Sequence, residues 1–253
     1  MRTIGDLIKY SAKYYPERIA TIYEDVRLTY KELNDRVSRV SNGLLRQGVY
    51  KGDHVGIICH TSHYFQEIFY GIAKIGAIAT TINWRLAPRE SEYIIDDADV
   101  SVLFVSDKYW TTVAAVKSKL TKVKKFILIG DPVEGTTNYD EFIRNSSTEE
   151  IDIDIARDDV VWQLYTSGTT GRPKGVLLTH RSILADTEHN IIGNKLNVDN
   201  ATWLSPLPMF HVASKNIFMA AYVHAAIVLM DNFDVKSVCE TIEKEKCTHL
   251  LTI

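Results

Sequence analysis

Residues 1–130 alternate between short apolar runs and longer segments whose apolar residues recur at helical spacing. In the stretch LTYKEL, Thr29 stands three positions before Glu32, which is typical of a capping box at a helix start. Apolar residues at helical spacing follow, and Gly48 is a typical helix stop. The pattern therefore predicts a helix that begins after Thr29 and ends before Gly48.

The same alternation continues along the chain and indicates the fold class. It predicts strands at residues 54–59, 77–82, 101–105 and 126–129, and helices at residues 65–75, 88–97 and 108–120. Strands that alternate with helices predict an α/β fold, with helices packed on a mostly parallel β-sheet. Residues 131–154 are polar and predict a linker or an irregular excursion, so the chain divides into a first α/β subdomain, residues 1–157, and a second one that begins at Asp158.

The final residues carry a separate expectation. A helix is predicted at residues 235–246, and the apolar, β-branched run at 247–253 has no polar tail. Because natural termini are usually exposed and polar, this run predicts a strand that stops inside a core and a truncated chain. The core face exposed by such a stop would favour a homo-oligomer.

Composition excludes several classes of protein. The 253 residues are 45% hydrophobic and carry a net charge of −3 without a long basic run, which is against nucleic-acid binding. The three widely spaced cysteines indicate free thiols in a reducing compartment. Neither a signal peptide nor a membrane span is predicted, because the longest apolar run, residues 217–230, is shorter than the roughly 20 residues that a span requires. We expect a soluble, cytoplasmic protein.

Residues 165–176, YTSGTTGRPKGV, carry the candidate chemistry. A polyphosphate needs many hydrogen-bond donors and a backbone that it can approach closely. The segment offers hydroxyls, glycines and cations: Thr166, Ser167, Gly168, Thr169, Thr170, Gly171, Arg172, Lys174 and Gly175. It therefore predicts a phosphate-binding loop between two strands.

Two other interpretations compete with this one. Glycine, threonine and serine are common in turns, so a solvated hairpin loop would explain the glycines, although not four hydroxyls that converge on a lysine. The Walker A loop fails, because Gly175 rather than serine or threonine follows Lys174 and because Pro173 and an apolar run disfavour a helix there. Cys59, His60 and His63 suggest a metal site, but no second pair of ligands accompanies them.

Residues 165–176 match, residue for residue, the signature phosphate loop of the adenylate-forming superfamily, which includes acyl-CoA synthetases, coumarate–CoA ligases, luciferases and nonribosomal adenylation domains. Three further stretches, at residues 28–33, 71–90 and 206–211, resemble other core motifs of that superfamily. Residues 83–90, NWRLAPRE, look most like those of fatty acyl-CoA synthetases. The resemblance covers essentially the whole chain and implies that residues 1–253 form part of the large N-terminal AMP-binding domain, without the C-terminal domain.

The resemblance also implies a reaction. A carboxylate attacks the α-phosphorus of ATP to give acyl-AMP and pyrophosphate, and coenzyme A then displaces AMP. It assigns phosphate binding to Thr166, Ser167, Gly168, Thr169, Thr170, Gly171 and Lys174, with catalytic roles for Thr166 and Lys174. A medium- or long-chain fatty acid is the substrate that it favours. The Mg²⁺ ligand, the adenine and ribose contacts and the catalytic lysine of the family are expected beyond residue 253, so this chain alone should show little turnover.

By the same resemblance, His211 lines or gates the acyl pocket, although a histidine in an apolar region is by default a core or boundary residue. Relatives often carry glycines where this chain has Ala213, Ser214 and Lys215. A non-catalytic module that binds nucleotide or acid, an adenylation domain for another acid, and a remote kinase-like activity remain as alternatives. The products separate them: pyrophosphate and AMP for a ligase, ADP for a kinase, neither for a binding module.

Overall fold

The computed structural model describes residues 1–166, 172–193 and 201–250. Its helices are α1 (Ile4–Tyr14), α2 (Tyr30–Arg46), α3 (His63–Lys74), α4 (Pro88–Asp97), α5 (Trp110–Ala114), α6 (Tyr139–Arg144), α7 (His180–Gly193), α8 (Lys215–Tyr222) and α9 (Val235–Glu245). Its strands are β1 (Ile19–Tyr23), β2 (Val26–Thr29), β3 (His54–Ile58), β4 (Ile78–Thr81), β5 (Val100–Ser106), β6 (Lys125–Ile129), β7 (Thr137–Asn138), β8 (Val160–Thr166), β9 (Lys174–Thr179), β10 (Thr202–Ser205), β11 (Ala226–Leu229) and β12 (His249–Leu250).

The strands form two sheets, and both are mostly parallel. One has seven strands in the order β7-β6-β5-β3-β4-β8-β9, and the other has five in the order β12-β10-β11-β1-β2. Among the strands that the structure describes, the β8–β9 and β1–β2 neighbours run antiparallel and the other pairs are parallel. The predicted α/β class with a mostly parallel sheet is confirmed.

Each sheet combines strands from distant parts of the sequence. The first two strands of the chain lie in the five-stranded sheet, where β1 pairs with β11. Strands β8 and β9 complete the seven-stranded sheet, where β4 pairs with β8. The predicted boundary near residue 157 therefore does not coincide with a division between the sheets.

Helix α3 connects the two sheets through a buried aromatic cluster and a hydrogen bond. The Phe69 ring centroid lies 5.5 Å from that of Trp162 on β8 and 5.2 Å from that of Phe218 on α8. On the other side, the Thr21 hydroxyl of β1 donates to Gln66 of α3 over 2.7 Å. These side chains are buried, so a helical layer and its apolar contacts fix the position of the sheets relative to each other.

Local sequence signals explain several helix ends. The Thr29 hydroxyl accepts from the amide of Glu32, and the Glu32 carboxylate accepts from the amide of Thr29, so the predicted capping box is confirmed. Gly48 has a φ of 76°, which glycine tolerates at low cost. Helix α4 begins at Pro88, where proline is favoured because its missing N–H needs no partner.

Two predictions of local structure were wrong. The helix expected at residues 108–120 is reduced to α5, Trp110–Ala114, between two short 3₁₀ turns, and its β-branched residues favour helices weakly. The expected linker at residues 131–154 contains β7 and α6. Asn138 caps α6 by accepting from the amide of Glu141 over 3.0 Å. The Phe142 ring of α6 occupies the space that a side chain at Gly43 would need.

Within the described ranges, none of the helices combines the length and apolar content of a membrane crossing.

Candidate functional site

The β8–β9 hairpin brings together the two residues predicted to be catalytic. Thr166 is the last residue of β8, Lys174 is the first of β9, and they are cross-strand partners in the antiparallel ladder. Both are exposed. Among the residues that the structure describes, no carboxylate forms an ion pair with the Lys174 ammonium. The predicted loop residues Ser167, Gly168, Thr169, Thr170 and Gly171 lie outside the described residues.

The element that follows the loop distinguishes it from a Walker A loop. Lys174 opens a strand, and the next helix, α7, begins only at His180. A Walker A loop instead leads directly into a helix whose N-terminus faces the phosphates. The expected strand after the loop is confirmed.

Gly175 is required for space rather than for an unusual backbone angle. It lies opposite Tyr165 in the ladder and does not adopt a positive φ. A Cβ at this position would come 2.5 Å from Nε2 of Gln163 and 3.2 Å from Cζ of Tyr165. The glycine at this position therefore allows close approach of the neighbouring strand and is not needed for a left-handed backbone conformation.

The hairpin also contacts helix α4, a relationship that the sequence did not indicate. The Tyr165 hydroxyl donates to the Asp97 carboxylate over 2.6 Å, and the Tyr93 hydroxyl donates to the Pro173 carbonyl over 3.4 Å. Burial, followed by the hydrogen bond to Asp97, raises the pKa of Tyr165 well above its usual value. The phenol therefore stays protonated and remains a donor at neutral pH.

The candidate site lies at the carboxyl edge of the seven-stranded sheet. Strands β4 and β8 are parallel, and Thr81 at the end of β4 pairs with Leu164, two residues before Thr166. Crevices at the carboxyl ends of parallel strands are the usual ligand sites of open α/β sheets. The hairpin is therefore in the part of the fold where a ligand is expected.

Residues 206–211 lie across the same edge and carry His211. The Thr81 hydroxyl donates to the Phe210 carbonyl over 2.9 Å. After β3, the Thr61 hydroxyl donates to the Leu207 carbonyl over 3.0 Å and accepts from the Met209 amide over 3.2 Å. Two threonines at the ends of neighbouring strands thus hold this segment in place.

His211 itself is exposed and is not a core histidine. It precedes a short 3₁₀ turn at Val212–Ser214 that leads into α8. Ala213 and Ser214 are buried in this turn. Lys215 begins α8, and its ammonium nitrogen lies 3.9 Å from a carboxylate oxygen of Asp186 on α7. The structure therefore places His211 at the same sheet edge as the hairpin, with its backbone held by the turn.

Cys59, His63 and His180 are buried and have structural roles. Cys59 is buried, and burial raises the pKa of its thiol to about 12. The His63 ring lies 2.7 Å from the Glu67 carboxylate, and His180 accepts from the amide of Ile4 over 3.0 Å. Across the described ranges, no three His, Cys, Asp or Glu side chains group in a way that could hold a metal ion.

The exposed pair fits a polyphosphate chemically. A threonine hydroxyl donates a hydrogen bond, and a lysine ammonium that no described carboxylate pairs with supplies a positive charge on a flexible stem. Because neither group is engaged by a described neighbour, both can turn towards an anion at the hairpin end. The geometry defines a candidate anion site built on a strand–loop–strand unit.

Comparison with known proteins identifies the class. The sequence matches the AMP-binding enzyme family over residues 8–253, so the chain belongs to that family. The family comprises adenylate-forming acyl- and aryl-CoA ligases, which use ATP and coenzyme A.

Individual relatives support the assignment. The chain is 30% identical to 4-hydroxybutyrate–CoA ligase 2 of Metallosphaera sedula, over 95% of this chain and 45% of that protein. It is also 30% identical to the long-chain-fatty-acid–CoA ligase FadD13 of Mycobacterium tuberculosis, over 97% of this chain and 48% of that protein. The crystal structure of the anthranilate–CoA ligase AuaEII in complex with anthranoyl-AMP superimposes with a TM-score of 0.89 at 27% identity, over 98% of this chain and 49% of that one. The chain thus spans about half the length of these relatives.

Proposed function

We propose that this chain carries the ATP-phosphate site of an acid–thiol ligase of the AMP-forming type. The observation that carries the proposal is the pairing of Thr166 with Lys174 at the carboxyl edge, where both side chains are exposed. Membership of the AMP-binding enzyme family supplies the reaction class. Ser167, Gly168, Thr169, Thr170 and Gly171, between the two strands, complete the proposed loop.

In the first half-reaction, a carboxylate oxygen bonds to the α-phosphorus of ATP, and the bond to the bridging oxygen breaks. Pyrophosphate leaves with that electron pair, so negative charge develops on the β- and γ-phosphates. Lys174 neutralises this charge and Thr166 donates a hydrogen bond to it, which lowers the barrier without a proton transfer from either residue. In the second half-reaction, coenzyme A gives up its thiol proton, its sulfur bonds to the acyl carbon and AMP leaves.

We propose that the acid binds beside His211. The support is its exposed position on the segment that Thr61 and Thr81 hold at the same edge as the hairpin. The same segment carries two buried apolar side chains, Met209 and Phe210. We propose a medium- or long-chain fatty acid as the substrate, and the range of acids named for the relatives makes chain length the variable to test.

The remaining parts of the reaction are assigned outside the residues described above. We propose that the Mg²⁺ ligand belongs to a part of the protein beyond residue 253, and that coenzyme A binds as co-substrate. We further propose that residues 1–253 belong to the large N-terminal AMP-binding domain, in a cytoplasmic protein. On this proposal the 253-residue chain binds ATP weakly and turns over little.

Acid-dependent ATP–pyrophosphate exchange tests the proposal. The assay compares this chain with the protein extended to the natural stop of its gene, using acids of increasing length. We expect exchange by the extended protein, and a loss of about 10²-fold in Lys174→Ala, the size expected when one charge-stabilising group is removed. Lys31→Ala, on the exposed surface of α2, is the matched control and should keep normal exchange. Absence of exchange with every acid, despite ATP binding, would favour a binding module instead.

A further inference from the structure

Helix α4 holds both strands that flank the proposed phosphate loop. Its last residue, Asp97, accepts the Tyr165 hydroxyl over 2.6 Å, one residue before Thr166. One turn earlier, Tyr93 donates to the Pro173 carbonyl over 3.4 Å, one residue before Lys174. The residue next to each member of the Thr166–Lys174 pair is thus fixed by the same helix.

A second contact strengthens the attachment on the β9 side. The Arg172 guanidinium lies over the Tyr93 ring, 5.9 Å from its centroid, within the range of a cation–π interaction. Tyr93 therefore engages the entry to β9 through both its ring and its hydroxyl. Such contacts fix the backbone direction from which Lys174 extends.

Tyr165 is in turn held by a short chain of hydrogen bonds across the sheet. The Thr80 hydroxyl of β4 donates to Oε1 of Gln163 over 3.1 Å, and Nε2 of Gln163 donates to the Tyr165 hydroxyl over 3.4 Å. The Tyr165 ring also occupies the space beside Gly175. The phenol is therefore positioned from three sides, by the sheet, by the facing strand and by α4.

These bonds are not needed to dock α4. Ile94 and Ile95 are 2% and 1% exposed and already bury the helix against the sheet. Asp97 is exposed, so a carboxylate there could be solvated at little cost without Tyr165. The hydrogen bond instead fixes Tyr165, the residue before Thr166 at the end of β8.

From this arrangement we infer that Tyr165 and Asp97 are positioning residues, which hold Thr166 and Lys174 in the geometry that receives the phosphates of ATP. The inference rests on the proposed function of the hairpin. Displacement of catalytic groups by about 1 Å can cost up to 10²-fold in rate, so loss of one fixing bond has a measurable effect. Because the phenol acts through its neighbours, its removal should affect ATP rather than the acid.

The test uses Tyr165→Phe, Asp97→Ala and the conservative Asp97→Asn in the protein extended to the natural stop. Tyr139→Phe is the matched control, because its hydroxyl also donates to a carboxylate, that of Glu67, over 2.7 Å in the core. We expect Tyr165→Phe and Asp97→Ala to raise KM for ATP about tenfold, with KM for the acid unchanged. Asp97→Asn keeps an acceptor oxygen and should restore most of the ATP affinity. Tyr139→Phe should lower the unfolding temperature and leave both KM values unchanged.

A second measurement is independent of catalysis. Hydrogen–deuterium exchange of the 253-residue chain should be about tenfold faster in peptides containing Thr166 and Lys174 when Tyr165 is replaced by Phe, and unchanged in the Tyr139→Phe control. If Tyr165→Phe speeds hydrogen–deuterium exchange but the extended protein activates no acid, the positioning role stands and only the ligase function is overturned. If Tyr165→Phe leaves both the rate of hydrogen–deuterium exchange and the KM for ATP unchanged, the inference is overturned.

Discussion

Thr81, at the end of β4, donates its hydroxyl hydrogen to the Phe210 carbonyl over 2.9 Å and accepts one from the indole of Trp162 over 2.9 Å. A single buried hydroxyl thus ties the core of the seven-stranded sheet to the segment that carries His211. The segment of the proposed acid site is therefore held by a buried side chain, and a substitution of Thr81 can alter the site without changing an exposed residue.

Thr81→Val should lower both stability and affinity for the acid. Valine has a similar shape but leaves the buried indole N–H of Trp162 and the Phe210 carbonyl without their partner, which costs about 1–3 kcal/mol. We expect KM for the acid to rise several-fold because residues 206–211 lose the hydrogen bond from β4 and keep those with Thr61. KM for ATP should change less. Urea unfolding and exchange kinetics measure the two effects. Thr111→Val on the exposed side of α5 is the control, and equal behaviour of the two variants would contradict this role.

Gly175→Ala should impair the hairpin. The added methyl group would press on the side chains of Gln163 and Tyr165, which hydrogen bonds hold in place. We expect a loss of about 1–3 kcal/mol in stability, as for overpacking, and a rise in KM for ATP. At Gly193, at the end of α7, an added Cβ would lie 3.9 Å from His189, its nearest neighbour among the described residues, so Gly193→Ala should be neutral. Thermal unfolding of both variants measures the effect. A Gly175→Ala protein as stable as the original would show that the strand can accommodate the methyl group.

His180 should make the protein less stable in mild acid. Burial lowers its pKa from 6.5 to about 4, so the folded protein holds the ring neutral. The unfolded chain binds the proton near pH 6.5, and stability is therefore complete above that pH and declines as pH falls towards 4. At pH 5 the loss from this group is about 2 kcal/mol.

The control for that pH dependence is His180→Asn, which keeps an acceptor for the Ile4 amide but cannot be protonated. Urea unfolding at pH 7 and pH 5 should show a smaller difference in this variant than in the original protein. Other histidines, such as His54 and His224, also have lowered pKa values and contribute with the same sign. An unchanged pH dependence in His180→Asn would show that they account for the whole effect.

Glu67 should be among the most sensitive positions of the core. Its carboxylate is fully buried and accepts from Arg36, His63 and Tyr139, each over 2.7 Å. Burial acts to raise its pKa, but the hydrogen bond from His63 and the charge of Arg36 outweigh this and leave the pKa lowered. The stability that it contributes is therefore present above about pH 4.5 and is lost as pH falls below that value.

Glu67→Ala should cost about 3–5 kcal/mol, because it leaves buried donors and a partly buried guanidinium without a partner. Glu67→Gln should cost less, since the amide oxygen still accepts. Glu240→Ala removes a carboxylate of an exposed pair with Lys236 and should change stability by less than about 1 kcal/mol. Similar losses in Glu67→Ala and Glu240→Ala, measured by urea unfolding, would contradict the buried network.

Local chemistry made part of this molecule predictable from its sequence. The capping box of Thr29 and Glu32, the helix that begins at Pro88 and the two strands around the loop each depend on neighbouring residues. Helix α6 was missed because it is short and lies in a polar stretch. Asn138 three positions before Glu141 was the signal that could have revealed it.

Contacts between distant residues were not predictable in this way. No periodicity indicates that β1 pairs with β11, because parallel pairing leaves no local pattern in either strand. The attachment of Tyr165 to Asp97 likewise joins residues that are 68 positions apart. The motif located the loop, and only the fold identified the helix that supports it.

Each sheet combines strands that are far apart in the sequence, and this has a consequence for synthesis on the ribosome. Strand β1 emerges early, but its parallel partner β11 is made only after the entire seven-stranded sheet. Until then, β1 and β2 form an isolated hairpin with both outer edges unpaired, and a two-stranded hairpin is marginally stable at best. The nascent chain must therefore keep its first strands unassembled until β11 has been made, a period in which such edges are prone to aggregation and in which chaperones are most needed.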